Sequence, residues 1–497
     1  MNHETSVAYN CLCRRRHRVD RLIGHGVSAP SLCNSRSPAA DRSGYSHRYN
    51  RGGRLFLYLT TPELTNANAA SLQFQAQWSV TGNVSGQPLA GLGPRYNTNA
   101  CSWCHSYPAT GGSSPTTNSE VQMATLNGAT GNAIPSANYY APDNSDGQPF
   151  IRINGPTRAP YRRSTGAALK LYTVVGMSDI GTALPNCASS ALPQPDFTTL
   201  LGNNDISPHI PIPLFGIGLV EATSDAALRA AQNQSKMASF GVTYAHFNID
   251  GTGTIAHTGW KGAAPSGNYF TSLAYAAEIG PSTELFPQKI DPVAVCIANP
   301  MPEDHAPLAS RGTCDGCAMD WSSEVVNAAF FQSHLAAPAP AGYTGAPPSN
   351  WNGSSTTAYT TNTATVTQGT VYDGYRQFLN AGCDTCHVPS HTTSSSQITG
   401  TSNTAYYSYS DYALHTMGVA LDDGLTQGAA GHQDYKTAAL WGIGQRIWFL
   451  HDGRTNDLYK AIEAHCSGNS EAATVCSAYN GLSTAQQQAV LDFLRSL

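Results

Sequence analysis

Two copies of one short pattern constrain this chain more than any other feature of its sequence. Cys101-Ser-Trp-Cys104-His105 and Cys383-Asp-Thr-Cys386-His387 both read Cys-x-x-Cys-His. In this pattern two thiols add across the vinyl groups of a haem, and the adjacent histidine becomes the proximal iron ligand. A zinc site would need further paired cysteines or histidines near each copy, and the sequence has none there. The pattern therefore predicts two covalently bound c-type haems.

The length of 497 residues exceeds what one hydrophobic core usually supports, so we expect two domains with one haem each. The 46 glycines and 30 prolines indicate much irregular backbone. We expect a mainly α fold with two cytochrome c-like haem domains, long irregular loops and minor β elements. The predicted divisions are an unmatched leader or mis-assigned start (1–54), an N-terminal haem domain (55–335), a linker (336–369) and a C-terminal electron-transfer domain (370–497).

Local patterns place a few elements within these divisions. Apolar residues recur three or four apart in 226–237 and 270–278, which predicts helices there. Helices are also expected over 371–379, leading into the second haem motif, and over 458–465 and 484–497, where Ser483 is a candidate N-terminal cap. Segment 213–218 resembles 439–444, and each follows its haem motif, which favours a duplicated domain over chance similarity.

Composition excludes some classes of partner and suggests a location. Charged residues make up 12% of the chain and the formal net charge is -5, so we expect no nucleic-acid partner. The sequence has no apolar run long enough for a transmembrane helix. Covalent haem attachment implies export to the periplasm or beyond the cell, although residues 1–54 contain no recognisable signal peptide.

Nine of the 13 cysteines lie outside the haem motifs. Cys314-Asp-Gly-Cys317 lacks a following histidine, so a disulfide is the preferred interpretation and a redox-active pair the alternative. Cys466 and Cys476 can also bridge each other. The other candidates for pairing are Cys187 and Cys296, whereas three N-terminal cysteines have no expected function: Cys11, Cys13 and Cys33.

The two haems differ in the ligands available for their distal sides. No histidine lies between His105 and His209, and Met123 and Met177 are the only methionines in that interval, so the first haem is a candidate for an open site. The second motif is followed by several possible sixth ligands: His391, His415, Met417, His432, His451 and His465. His391 follows the proximal histidine too closely to reach across the ring.

Several blocks in the same order give the chain a family resemblance over about 72–497: segments 91–105, 213–221, 258–262, 278–280 and 440–454. They resemble bacterial di-haem oxidoreductases of the peroxidase type, relatives of di-haem cytochrome c peroxidase and of the di-haem enzyme that matures methylamine dehydrogenase. Some descriptions of this family call it a thiol oxidoreductase. We discount that label, because haem attachment explains the Cys-x-x-Cys motifs that suggest it.

The resemblance implies roles for particular residues. Glu278 matches the distal acid/base of the peroxidatic haem, and Trp260 matches a tryptophan between the haems, although Lys261 stands where the relatives have aspartate. His465 matches the sixth ligand of the electron-transfer haem, with His415 and Met417 as alternatives. A calcium ion between the domains is also implied, but its ligands cannot be recognised here.

The resulting expectation is reduction of hydrogen peroxide, with electrons passing from a redox protein donor through the His387 haem, past Trp260, to the His105 haem. Two alternatives remain open at this point. The haem pair could oxidise a protein or organic substrate, or it could carry electrons without catalysis. The sequence does not identify the donor, the physiological substrate or the oligomeric state.

Overall fold

The computed structural model describes 53–80, 84–87, 89–126, 155–165, 171–176, 195–243, 245–281, 283, 285–286, 324–338, 358–360 and 365–497. Helices account for 41% and strands for 13% of the structure. The expected mainly α class is thus confirmed only in part, since helix predominates but the fold is mixed. Every strand among the described residues is short and pairs with a single partner.

The helices are Thr61–Gln75, Cys101–Cys104, Ser119–Leu126, Phe197–Gly202, Ile217–Glu221, Asp225–Ala231, Gln234–Ser239, Gly267–Ala274, Glu324–His334, Gln368–Ala381, Leu458–Glu463, Ala473–Asn480 and Thr484–Ser496, with a π-helical turn at Tyr275–Ile279. Short 3₁₀ turns occupy Arg163–Thr165, Cys383–Thr385, Thr399–Thr401, Val419–Leu421, Ile443–Gln445 and Ala464–Cys466.

One pair of strands is parallel, Trp78–Ser79 with Leu89–Ala90. The antiparallel pairs are Arg95–Tyr96 with Val174–Val175, Ala159–Arg162 with Ile206–His209, Ala358–Thr360 with Thr365–Thr367, His391–Thr392 with Ala405–Tyr406, and Leu414–Thr416 with Asp434–Lys436. The last pair leads directly to residues of the candidate site.

The predicted helices are largely confirmed. The C-terminal helix Thr484–Ser496 begins with a capping box. The backbone N–H of Gln486 donates to the Ser483 hydroxyl, and the backbone N–H of Ser483 donates to the Gln486 side-chain oxygen. The helix predicted over 226–237 is instead two helices, because Asn233 caps a new helix after the first ends. The helix predicted over 270–278 starts earlier and ends in the π-helical turn.

Two apolar cores surround the two haem motifs. The first contains Phe74 and Phe331, whose ring centroids lie 5.0 Å apart. The second lies between helices Gln368–Ala381 and Thr484–Ser496, where Phe378 and Phe493 pack at 5.3 Å. Gly374 allows this close approach, because a side chain there would collide with the Ala489 backbone.

A third core joins early and late parts of the chain. Phe56, Leu219 and Phe247 are buried against Tyr406 and Trp441. Residues 42–497 accordingly form one compact unit by their contacts. No helix in the described ranges is long and apolar enough to cross a membrane.

Two candidate haem cavities

The C-terminal motif begins where helix Gln368–Ala381 ends. Gly382 takes a left-handed conformation (φ 88°), which turns the chain into the 3₁₀ turn that carries Cys383. The His387 Nδ1 lies 2.8 Å from the Tyr409 carbonyl oxygen, which can only accept, so Nδ1 carries the proton. Burial lowers the pKa of His387 to about 4, and the nearby His465 acts in the same direction. The ring is therefore neutral, with its lone pair on Nε2, as an iron ligand requires.

A largely apolar cavity of about 220 Å³ surrounds this histidine. His465 lines the same cavity, so the structure brings together two residues that are far apart in the sequence. The His465 Nδ1 donates to the Ala461 carbonyl oxygen at 2.9 Å, and burial lowers the pKa of His465. His465 thus has the same tautomer as His387, with Nε2 as the nitrogen available to a metal.

The alternative ligands differ in how they are held. His415 lies between two carboxylates, with Nε2 3.0 Å from Asp411 and Nδ1 3.1 Å from Glu471. Burial opposes its charge, but Cys386 and Asp411 raise the pKa of His415 well above its usual range. An imidazolium has no lone pair for iron, which favours His465 over His415. Met417 also lines the cavity and stays an alternative.

The other candidate histidines have partners of their own. His391 is buried and lies 2.6 Å from the Ser410 carbonyl oxygen, outside the lining of the cavity. His451 lines the cavity, with Nε2 3.3 Å from the Tyr435 hydroxyl. The His432 side chain is 59% exposed and does not line the cavity.

A disulfide stands directly beside His465. Cys466 and Cys476 are bridged, as the sequence suggested, with their Cα atoms 5.3 Å apart. The bridge ties the 3₁₀ turn Ala464–Cys466 to helix Ala473–Asn480, and Cys476 lines the cavity. The backbone that presents His465 is therefore covalently fixed to the cavity wall.

The N-terminal motif forms a short helix, Cys101–Cys104, that ends at His105. The His105 Nδ1 lies 3.0 Å from the Gly112 carbonyl oxygen, so this proximal histidine also carries its proton on Nδ1. The ring lines a second cavity of about 400 Å³.

Glu278 and Trp260 both line the cavity around His105. Glu278 lies in the π-helical turn Tyr275–Ile279, a local irregularity that is frequent at functional sites. Asn97 donates its backbone N–H to the Glu278 carbonyl oxygen at 2.8 Å, and its Nδ2 lies 3.4 Å from Glu278 Oε2. The segment that leads into the first haem motif thus holds both the backbone and the carboxylate of Glu278.

Trp260 lines both cavities. It lies in a turn whose glycines, Gly259 and Gly262, have positive φ values of 90° and 56°. The indole Nε1 donates to the Ile210 carbonyl oxygen at 2.9 Å, and the Trp260 carbonyl oxygen accepts from the Lys436 amide at 2.9 Å. The ring is therefore held between the two candidate haem sites.

The structure adds a connection that sequence reasoning missed. Tyr161 and His209 line the first cavity and His451 and Tyr435 line the second. Successive ring centroids in this series lie 4.9, 5.3 and 4.6 Å apart. His451 belongs to the His-Asp-Gly element, but no sequence signal pairs it with His209, because that contact is made across the fold.

Both cavities fit a haem. Each presents two cysteine side chains and the histidine that follows them, and burial raises the pKa of Cys101 and Cys383 to about 12, which keeps these thiols protonated. None of these thiols forms a disulfide in the part of the chain that the structure describes. Arg446, in the C-terminal cavity, has buried guanidinium nitrogens without a hydrogen-bond partner, as expected where a ligand carboxylate completes the site.

Some predicted residues lie outside the described ranges. They are Cys11, Cys13, Cys33, Met177, Cys187, Cys296, Cys314 and Cys317. Among the described residues, the one cluster with metal-ligand spacing is Glu463, Cys466 and Cys476. Two of its members form the disulfide and calcium prefers oxygen ligands, so the cluster does not supply the calcium site.

Comparison with known families agrees with this chemistry. Residues 353–497 match the model of a family described as "Di-haem oxidoreductase, putative peroxidase". The match contains the second haem motif, His415, Met417 and His465. A search of curated proteins finds no match. Residues 353–497 are thus similar to the di-haem oxidoreductases, a family of enzymes.

Proposed function

We propose that this protein is a periplasmic or otherwise exported di-haem c-type peroxidase that reduces hydrogen peroxide to water with electrons from a redox protein. The observation that carries the proposal is the arrangement of Trp260. This residue shares one cavity with His105 and Glu278 and the other with His387 and His465. The first cavity thus contains Glu278 together with His105, and the second contains His465 together with His387.

His105 and His387 would be the proximal ligands, and His465 the sixth ligand of the C-terminal haem. A haem with two strong protein ligands is suited to electron transfer, whereas an open distal position suits reaction with peroxide. When bound, the haems supply the iron that binds peroxide and the redox change that cleaves it. The C-terminal site would accept electrons from the donor and pass them toward the His105 site.

Glu278 would move the protons. A carboxylate beside bound peroxide can take a proton from one oxygen and return it to the departing oxygen. The reduction of one peroxide consumes two electrons and two further protons and releases two waters. Asn97 orients the Glu278 carboxylate, and the backbone hydrogen bond between these residues fixes the distance to the first haem motif.

Substitution of Glu278 tests this proposal, because general acid–base groups typically contribute about 10²–10⁴-fold to rate. We expect Glu278→Gln to lower kcat/KM for peroxide by that factor while both haems stay bound. Glu120→Gln is the matched variant, since Glu120 is the other glutamate among the residues that line this cavity. A greater loss in Glu120→Gln would reassign the acid, and unchanged turnover in both variants would refute the mechanism.

Spectra distinguish this function from the two alternatives. If both haems are low-spin in every redox state and peroxide causes no change, the protein is an electron carrier. If peroxide yields a persistent oxidised state with slow turnover of small donors, oxidation of a protein or organic substrate is favoured.

A further inference from the structure

A buried arginine without a partner lies in the cavity around His387. Arg446 is 9% exposed and lines the cavity, and its Nε and Nη2 have no hydrogen-bond partner within the described residues. Burial is the one cause acting on the pKa of Arg446, which it lowers to about 10, so no neighbouring carboxylate compensates the charge. A buried guanidinium is costly unless an anion pairs with it.

The backbone holds Arg446 in this place. It follows the 3₁₀ turn Ile443–Gln445, and Gly444 packs so closely on Arg495 that a side chain there would collide with its carbonyl. Gly442 donates its N–H to the Leu497 carbonyl oxygen at 2.9 Å. The turn that carries Arg446 is therefore fastened to the end of the C-terminal helix.

A second cation lines the same cavity. Burial lowers the pKa of Lys436 to about 8, and the charge of Asp411 acts in the opposite direction. The Lys436 ammonium lies 5.6 Å from the centroid of the Tyr412 ring, and no carboxylate within the described ranges forms an ion pair with it. The cavity lining therefore includes two positive side chains that form no ion pair with a described carboxylate.

We propose that Arg446 and Lys436 form the anion-binding pair of this cavity and hold the two propionate carboxylates of the C-terminal haem. The inference rests on the proposed function, since it requires a haem at Cys383, Cys386 and His387. A ligand with a flat apolar body and two carboxylates complements an apolar cavity with two unpaired cations. Guanidinium binds a carboxylate through two parallel hydrogen bonds, whereas ammonium acts as a point charge, so Arg446 contributes more to orientation.

The pair also has a consequence for the haem potential. A positive charge near the iron favours the reduced state, and loss of that charge favours the oxidised state. Lys436 donates its backbone N–H to the Trp260 carbonyl oxygen, so one of the two cations also contacts the residue shared by both cavities.

The test uses the holoprotein and measures the midpoint potential of each haem by spectroscopic redox titration, together with thermal unfolding. We expect Arg446→Gln and Lys436→Gln each to lower the potential of the C-terminal haem, to leave that of the N-terminal haem unchanged, and to lower the unfolding temperature. Arg446→Lys should restore part of the potential because it keeps the charge. Arg376→Gln is the control, since Arg376 is 51% exposed and pairs with Asp373 outside the cavity.

Unchanged potentials with a raised unfolding temperature in Arg446→Gln would overturn the inference, because removal of an unpaired buried charge stabilises a protein. If Arg446→Gln does not fold, the potentials of Arg446→Lys and Lys436→Gln decide the question. Haem counting separates this inference from the proposed function. The double variant Cys383→Ala/Cys386→Ala should lose one haem, and an unchanged haem count would refute the proposed function itself. If that haem is lost but the potentials of the cation variants are unaltered, only the propionate pair is refuted.

Discussion

Replacement of Lys261 by methionine should destabilise the protein by up to about 3–5 kcal/mol, the cost of removing one partner of a buried ion pair. His209 Nε2, 3.2 Å from Asp423 Oδ2, stays beside the carboxylate. Lys261 is fully buried, with Nζ 3.1 Å from Asp423 Oδ1. It donates to the carbonyl oxygens of Gly431 and Asp434 at 2.8 and 3.0 Å, and it lies 4.3 Å from the Tyr435 ring centroid. Methionine fills a similar volume but cannot compensate Asp423.

The pKa of Asp423 gives a second measure of the same interaction. Burial would raise it, but the hydrogen bond and charge of His209 and the charge of Lys261 lower it from 3.8 to about 2. A shift of about two units corresponds to roughly 2–3 kcal/mol. Because the folded pKa is the lower one, this stabilisation is fully present above about pH 4 and is lost as the pH falls toward 2. Without Lys261 the pKa of Asp423 rises, so acid unfolding should begin at a higher pH.

Denaturant unfolding of the holoprotein, followed by circular dichroism and haem absorbance, measures these effects. The double variant Lys261→Met/Asp423→Asn should be more stable than Lys261→Met, since it leaves neither charge unpaired. Lys236→Met is the matched control: its ion pair with Asp384 is partly exposed, and its loss should cost less than about 1 kcal/mol. A cost below about 1 kcal/mol for Lys261→Met, with no shift in acid unfolding, would refute the reasoning.

Two further predictions concern the candidate haem sites. His465→Met should keep the C-terminal haem low-spin but raise its midpoint potential, whereas His465→Ala should make it high-spin; identical spectra in both variants would exclude His465 as a ligand. Trp260→Phe should slow the reduction of the N-terminal haem by electrons delivered at the C-terminal haem in stopped-flow measurements. Trp448→Phe is the control and should leave this rate unchanged. Trp448 also donates its Nε1 to a carbonyl oxygen, but it lines neither cavity. Equal rates in the two variants would remove Trp260 from the transfer route.

The sequence predicted elements whose causes are local. The helix Gln368–Ala381 and the capped helix Thr484–Ser496 follow from apolar spacing and from a Ser-x-x-Gln cap, both contained within a few residues. The prediction of one continuous helix over 226–237 is wrong, because Asn233 caps a second helix there and apolar spacing does not reveal such a cap. The π-helical turn at Glu278 was also missed, since no residue pattern announces it.

The candidate site shows the same difference between what local sequence predicts and what the fold decides. The resemblance points to Glu278, Trp260 and His465, and each of them lines a candidate haem cavity. The choice of His465 over His415 needed more than the resemblance. The Asp411 and Glu471 carboxylates that hold His415 approach it only in the folded chain.

The sequence by itself determined where two haems are predicted to attach, because the two cysteines and the histidine of each motif lie within five consecutive residues. Only the tertiary structure decided what lies between the two sites. Trp260 lines both cavities, Lys261 pairs with Asp423, and Arg446 Nε and Nη2 have no hydrogen-bond partner among the described residues. These relations depend on distances between residues far apart in the chain, which close packing alone sets. The two similar motifs become unequal because the fold places His465 in the cavity of His387 and Glu278 in the cavity of His105.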